Sequence, residues 1–243
     1  MDDPLRGVVS KKGLGLALVL NEVSIDMVHI PSGEFFMGSD ESEAGHKPNE
    51  APLHKVNLTK SFYIGTYEIT VKQYRKVMRT TNQAGMEDML PVSQVTYVNA
   101  LSFCNRLSKI SHAKVRLPSE AEWEYACRAG TKTPYSSGSS ETDLDKVAWY
   151  SKNSEDRPHP VGQKQPNAWG IFDMHGNVWE YCADFNDGYS KSDSTDPIGQ
   201  TSPHFGAMRG GGWMHGPEYC RAAAKLVSDD MFGGAGFRVV IDV

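Results

Sequence analysis

Paired cysteines, basic blocks and long apolar runs are what this 243-residue chain lacks. Its four cysteines, Cys104, Cys127, Cys182 and Cys220, lie far apart with no C-x-x-C pair. That spacing argues against a zinc site and against a fold dependent on disulfides. One internal disulfide stays open, although burial as a small apolar side chain is the commoner fate of such a cysteine. Charges of both signs are mixed along the chain and sum to −5, so the basic footprint of a nucleic-acid binder is missing. The longest apolar run, residues 14–20, falls well short of the roughly 20 residues that a membrane span needs. Lys11 and Lys12 precede that run in the manner of a signal peptide. No small-residue cleavage site follows, since Asn21 and Glu22 come next, and a β-strand is the preferred reading. The compartment is open: cytoplasmic if the natural chain starts at Met1, cell-surface or exported if it extends further upstream.

What is present is 39% hydrophobic residues, 10% aromatics, 23 glycines and 13 prolines. This suits one turn-rich domain, preceded over residues 1–26 by an extension with a strand and occupying residues 27–243. The centre of the pattern is residues 167–181, where Trp169, Phe172, Trp179 and Tyr181 surround a tight polar turn carrying Asp173, His175, Gly176, Asn177 and Glu180. So many aromatics predict burial, and buried polar groups must then bind each other, the backbone or a cation.

Alternation broken by Pro31 and Gly33 predicts a hairpin over residues 27–38. Residues 39–52 read as a polar surface loop, and 56–58 and 62–64 as strands. Thr70 predicts the cap of a helix to about Met78, and a second helix spans 95–107. Ser119 and Glu122 stand at capping-box spacing before a third helix that Gly130 ends. Residues 79–90, 135–145 and 184–205 read as loops, and 178–182, 208–212 and 236–241 as strands. The class is α+β, with small antiparallel sheets and much irregular backbone.

Five motifs carry a family resemblance. They are Ile30-Pro31-Ser32-Gly33-Glu34-Phe35-Phe36-Met37-Gly38, Arg116-Leu117-Pro118-Ser119-Glu120-Ala121-Glu122-Trp123-Glu124-Tyr125-Ala126, Asp173-Met174-His175-Gly176-Asn177-Val178-Trp179-Glu180, Arg209-Gly210-Gly211-Gly212-Trp213 and Gly236-Phe237-Arg238. In this order they resemble the formylglycine-generating-enzyme (sulfatase-modifying factor) family. The resemblance implies that family's C-type-lectin-like fold, with two main helices, small twisted sheets and many loops.

The family's oxidases convert a sulfatase cysteine to formylglycine with two cysteines of one loop that bind copper(I), a task suited to soft thiolates. Here the corresponding stretch, Trp213-Met214-His215-Gly216-Pro217-Glu218-Tyr219, has no cysteine, Gly212 stands where the family has serine, and Cys220 is followed by Arg221. No copper is expected, and an enzyme is disfavoured. The iron-dependent sulfoxide synthases of the family need a His-rich helical domain that residues 1–26 are too short to supply.

The resemblance further implies structural calcium at the central turn, held by Asp173, the carbonyls of Gly176 and Val178, and Glu180. Oxygen donors around a glycine turn suit this hard cation. The alternative is that both carboxylates accept backbone N–H bonds. His175 reads as a packed histidine, and Met214, His215 and Cys220 as a soft metal set of undiagnostic spacing. Residues 213–232 also resemble the ligand-contacting stretch of retroelement-diversified bacterial variable proteins, which end in a similar Gly-Phe-Arg strand. Trp213, Met214, His215, Glu218, Tyr219, Leu226, Val227, Met231 and Phe232 are the candidate ligand-binding residues, aromatics with polar handles being good anchors. The expectation is a non-catalytic binding module for an unknown protein or small molecule. The rivals are an oxidoreductase or tailoring enzyme of the same family and an accessory paralogue that binds a family enzyme.

Overall fold

A computed structural model describes residues 7–12, 15–20, 23–81, 83–185, 188–227 and 235–243. Its main sheet has the strand order Gly7–Lys12, Gly15–Leu20, Val23–Ile30, Phe62–Gly65, Val240–Asp242 and Val115–Arg116, every neighbouring pair antiparallel. The C-terminal strand is thus interior to the sheet. A second sheet is ordered Lys225–Val227, Ala207–Arg209, Trp179–Tyr181 and Ala235–Gly236. It joins the central turn to the two motifs that follow it in the chain.

The expected hairpin over residues 27–38 does not form. Val23–Ile30 pairs within the main sheet, whereas Gly33–Met37 crosses to pair with His54–Leu58 in a separate three-stranded sheet. Alternation foretells which side chains face inward, and Ile30 and Met37 do share one core with Val56, Leu58, Phe62 and Ile64. It does not name the strand partner, which here is set by that shared core.

Four helices are capped alike. Thr70, Thr96, Ser119 and Ser140 each accept the N–H of the residue three further on, whose side chain accepts from the cap in return. They begin α1 (Val71–Met78), α2 (Tyr97–Ser111), α3 (Glu120–Arg128) and α4 (Glu141–Val147). The last replaces part of the loop expected at 135–145. It has only seven residues with Leu144 and Val147 inward, and its box closes with Asp143. Helix α2 starts after Thr96 and runs on past Leu107, because Ile110 and Ser111 are also buried.

Two cores flank the main sheet. In one, Phe103 of α2 lies 5.8 Å from the Tyr74 ring of α1 and 5.1 Å from Phe237. In the other, Trp123 of α3 packs among Ile171, Met174 and Cys182. Residues of such size dominate core energetics. All four cysteines are buried and free. No helix among the described residues is long and apolar enough to cross a membrane.

Candidate functional site: a charged turn beneath an aromatic face

The central turn needs unusual backbone. Asp173 and Asn177 have φ of 56° and 57°, and Gly176 has 78°. A Cβ at Gly176 would run into the Trp149 carbonyl, so glycine is required there twice over. Asn177 is the hub. Its N–H donates to Trp149 O (2.7 Å), its carbonyl accepts from Trp213 N (2.7 Å), and its amide donates to Glu68 (2.7 Å) and accepts from His159 N (3.0 Å). Glu68 also accepts from Val178 N (3.1 Å). The turn is therefore fastened by residues far away in sequence and in turn fastens Trp213.

Below it lies a cluster of charge. Arg238 donates through Nε and Nη2 to both oxygens of Glu180, each at 2.6 Å, and Trp123 Nε1 donates to the same carboxylate at 2.9 Å. Asp173 accepts from Gly162 N at 2.7 Å. Glu68, Asp173 and Glu180 thus face a single guanidinium, all buried. Burial raises the Asp173 carboxyl to about 6 and pushes Glu68 well above the usual range, with the neighbouring carboxylates adding to both. The donors are oxygen-only with an excess of negative charge, which is the chemistry of a hard-cation site. Among the residues expected to hold calcium, Glu180 is the least available, because Arg238 and Trp123 already engage both its oxygens. No group of three or more His, Cys, Asp or Glu side chains among the described residues is arranged as a metal site.

The candidate face begins where Gly210 and Gly211, with φ of 93° and 77°, turn the chain out of the strand Ala207–Arg209. Trp213 is pinned by Asn177 and by Ser154, whose hydroxyl donates to its carbonyl at 2.8 Å. Ser151 N donates to the His215 carbonyl at 3.0 Å. With the backbone so held, Trp213, His215, Glu218 and Tyr219 are half-buried and Met214 is 57% exposed. His215 and Tyr219 meet the buried Trp179 edge to face, and Trp179 Nε1 donates to His215 at 3.3 Å. Leu226 packs partly against the core. Val227 ends the strand Lys225–Val227, while Met231 and Phe232 lie outside the described residues.

The soft metal set does not assemble: Met214 faces solvent and Cys220 is fully buried. His175 is packed between Cys220 O, 2.7 Å from Nδ1, and Ser136 N, which donates to Nε2 at 3.0 Å. Cys127 Sγ is 3.7 Å from the same Nε2. Burial lowers His175 to about 4 and pushes the Cys127 thiol up, so the pair stays neutral and no thiolate forms.

The sequence reading missed the arginines. Arg221, 1% exposed, donates to Glu50 through two nitrogens (2.8 and 2.7 Å), to Glu43 (2.7 Å) and to Gly45 O (2.5 Å). It thereby clamps the loop 39–52, which was expected to be solvated, beside the candidate face. Arg209 binds Glu120 (3.2 Å) and Glu124 (2.9 Å) of α3, and Glu124 also pairs with Arg128. The available sign was a lone arginine among small or apolar neighbours, as in Arg221-Ala222-Ala223-Ala224 and Phe237-Arg238-Val239.

Comparison with known proteins agrees with this fold. The profile of the Sulfatase-modifying factor enzyme 1-like domain matches residues 20–243. The chaperone protein LppX of Paenibacillus barcinonensis is 28% identical over 79% of this chain and 80% of its own. Mouse (Mus musculus) formylglycine-generating enzyme is 26% identical over 89% of this chain and 75% of its own. The solved structure of Treponema denticola variable protein 1 superposes with a TM-score of 0.83 at 24% identity, covering 96% of this chain and all of that one. That similarity extends to the C-type-lectin-like fold.

Proposed function

From the premise that the chain belongs to the sulfatase-modifying factor enzyme 1-like domain family, we propose that it is a non-catalytic ligand-binding member. Its ligand is met by Trp213, Met214, His215, Glu218, Tyr219 and the adjoining segment to Phe232. The observation that carries this reading is the site's inventory. Where the family's oxidases place two copper-binding thiols, this chain presents half-exposed aromatic and polar side chains, and its nearest cysteine, Cys220, is buried with its thiol pushed up to about 12. A face in which each residue is free to change without disturbing chemistry also suits a diversified variable protein. The partner class that best fits is a protein surface, in line with a relative named as a chaperone protein.

The test is mass spectrometry of a cysteine-containing sulfatase peptide incubated with the protein, copper(I) and oxygen. The expected result is an unchanged peptide, while a formylglycine-generating enzyme run in parallel converts it; conversion by this chain overturns the proposal. The rival reading, a tailoring oxidoreductase, is favoured by the similarity to formylglycine-generating enzymes over 89% of the chain. It requires substitution of His215, Glu218 or Cys220 to abolish a measurable turnover.

Structural calcium at Asp173, Gly176, Val178 and Glu180 belongs to the same proposal. The crowding of Glu68, Asp173 and Glu180 around one guanidinium supports it: burial and the neighbouring carboxylates raise Asp173 and Glu68, so their negative charge is poorly compensated when they ionise. An ion there would neutralise that charge and stiffen the turn beneath the face. A ligand that binds only the folded chain raises stability by about 2.7 kcal/mol at a hundredfold excess over Kd. Calcium should therefore raise Tm and a chelator lower it, and an unchanged Tm removes calcium from the account.

A further inference from the structure

We infer that the face takes an alkylammonium group, and that the side chain of Lys47 occupies its place until a ligand displaces it. The inference rests on the ligand-binding reading and names the ligand's chemistry. Three rings meet edge to face: Trp179 and His215 with centroids 5.5 Å apart, His215 and Tyr219 5.3 Å, and Trp179 and Tyr219 6.2 Å. Over the Tyr219 ring sits the Lys47 ammonium, 3.7 Å from the centroid. That is closer than Lys164 over Trp149 or Lys225 over Tyr189, both 4.0 Å. The negative face of an aromatic ring attracts such a cation by roughly 0.5–2 kcal/mol.

Lys47 is not part of the scaffold on which the rings stand. It belongs to the loop between the strands Gly33–Met37 and His54–Leu58, which Arg221 clamps at Glu43 and Gly45 on one side of Lys47 and at Glu50 on the other. The ammonium itself has no carboxylate or hydrogen-bond partner among the described residues; its contact is the ring. A flexible four-carbon stem can therefore swing away while the loop stays docked. Glu218, beside Tyr219, contributes negative charge near His215, and burial together with Lys47 holds the His215 imidazole below its ordinary pKa. The walls thus offer π faces and a carboxylate to an incoming cation, and the Lys47 ammonium that covers the Tyr219 ring is tethered and removable.

Two probes of equal shape separate charge from hydrophobicity: choline and its neutral isostere 3,3-dimethylbutan-1-ol. Each is titrated at constant ionic strength into the full chain and into Lys47→Met, following the indole N–H resonance of Trp179. Lys47 is a half-exposed loop residue, so the variant folds. The expected result is choline binding about tenfold more tightly to Lys47→Met than to the wild type, a change of about 1.4 kcal/mol. The neutral isostere should bind both weakly, and Tyr219→Leu in the Lys47→Met background should lose choline. A lysine-bearing peptide that competes with choline identifies a protein as the source of the group, and failure to compete identifies a small molecule. Equal affinity of both proteins for choline, or of Lys47→Met for choline and the isostere, overturns the inference. If another ligand found by array screening still binds through His215 and Tyr219, the broader binding proposal survives that failure; if none does, both fall.

Discussion

Residues 173–181 and residues 213–219 are neighbours in space, tied by the Asn177–Trp213 hydrogen bond, and use similar residue types to opposite ends. Around the first, Glu68, Asp173, Glu180 and Arg238 are all buried, and the Glu180–Arg238 pair is bidentate. In the second, His215, Glu218 and Tyr219 are half-buried, Met214 is exposed, and the backbone is pinned by hydrogen bonds that do not involve these side chains. The difference teaches that shape and identity are separable here. Buried arginine–carboxylate pairs and glycine turns set the path of the chain, and in the proposed reading the side chains carried on that path form the binding surface.

Breaking the first region should have the largest effect. Arg238→Met leaves Glu180 buried without its partner, and breaking such a pair costs roughly 3–5 kcal/mol, read as a fall in the midpoint of urea unfolding. Arg238→Lys should rescue little, since a lysine cannot supply both hydrogen bonds to the two carboxylate oxygens.

The next effect sharpens the comparison through pH. His175 is held neutral in the fold, its pKa lowered from 6.5 to about 4 by burial. Between those values the unfolded chain binds a proton that the folded chain refuses. The His175 contribution to stability is therefore lost as pH falls from 6.5 towards 4, by an amount on the order of 3 kcal/mol, while the raised carboxyls of Asp173 and Glu68 act in the opposite sense over an overlapping window. His175→Gln should flatten this part of the stability–pH curve; an unchanged slope would show that other groups cause it. A smaller loss, about 1 kcal/mol, is expected for Ser119→Ala, which removes the hydroxyl that accepts the Glu122 N–H at the start of α3 while leaving the Ser119 backbone N–H to the Glu122 carboxylate in place. Smallest of all is Met214→Ser on the exposed face, within about 0.5 kcal/mol by thermal denaturation.

Local chemistry was legible in the sequence. Thr70 and the Ser119–Glu122 pair announced α1 and α3, and the aromatics around Asp173 announced a buried turn. What could not be read was pairing across the chain. The alternation of residues 27–38 gave the inward faces but not the crossing between sheets. The polarity of residues 39–52 suggested solvent, yet Glu50 is fully buried because Arg221, 171 residues later, neutralises it. Helix α4 escaped notice because seven residues are too few for periodicity and Asp143 replaces the usual Glu or Gln of the box. At the candidate site, Trp213 to Tyr219 were legible as a mixed surface. Glu68, Arg238 and Lys47 were not, since each joins the site from another part of the chain.

The comparison is tested most directly by randomising Met214, His215, Glu218 and Tyr219 together in one library and Glu180, Arg209, Arg221 and Arg238 in another, then measuring the fraction of members that unfold cooperatively. The account predicts that most of the first library folds and almost none of the second does. A first library that folds as rarely as the second would contradict it, because the face would then be part of the scaffold rather than something the scaffold displays.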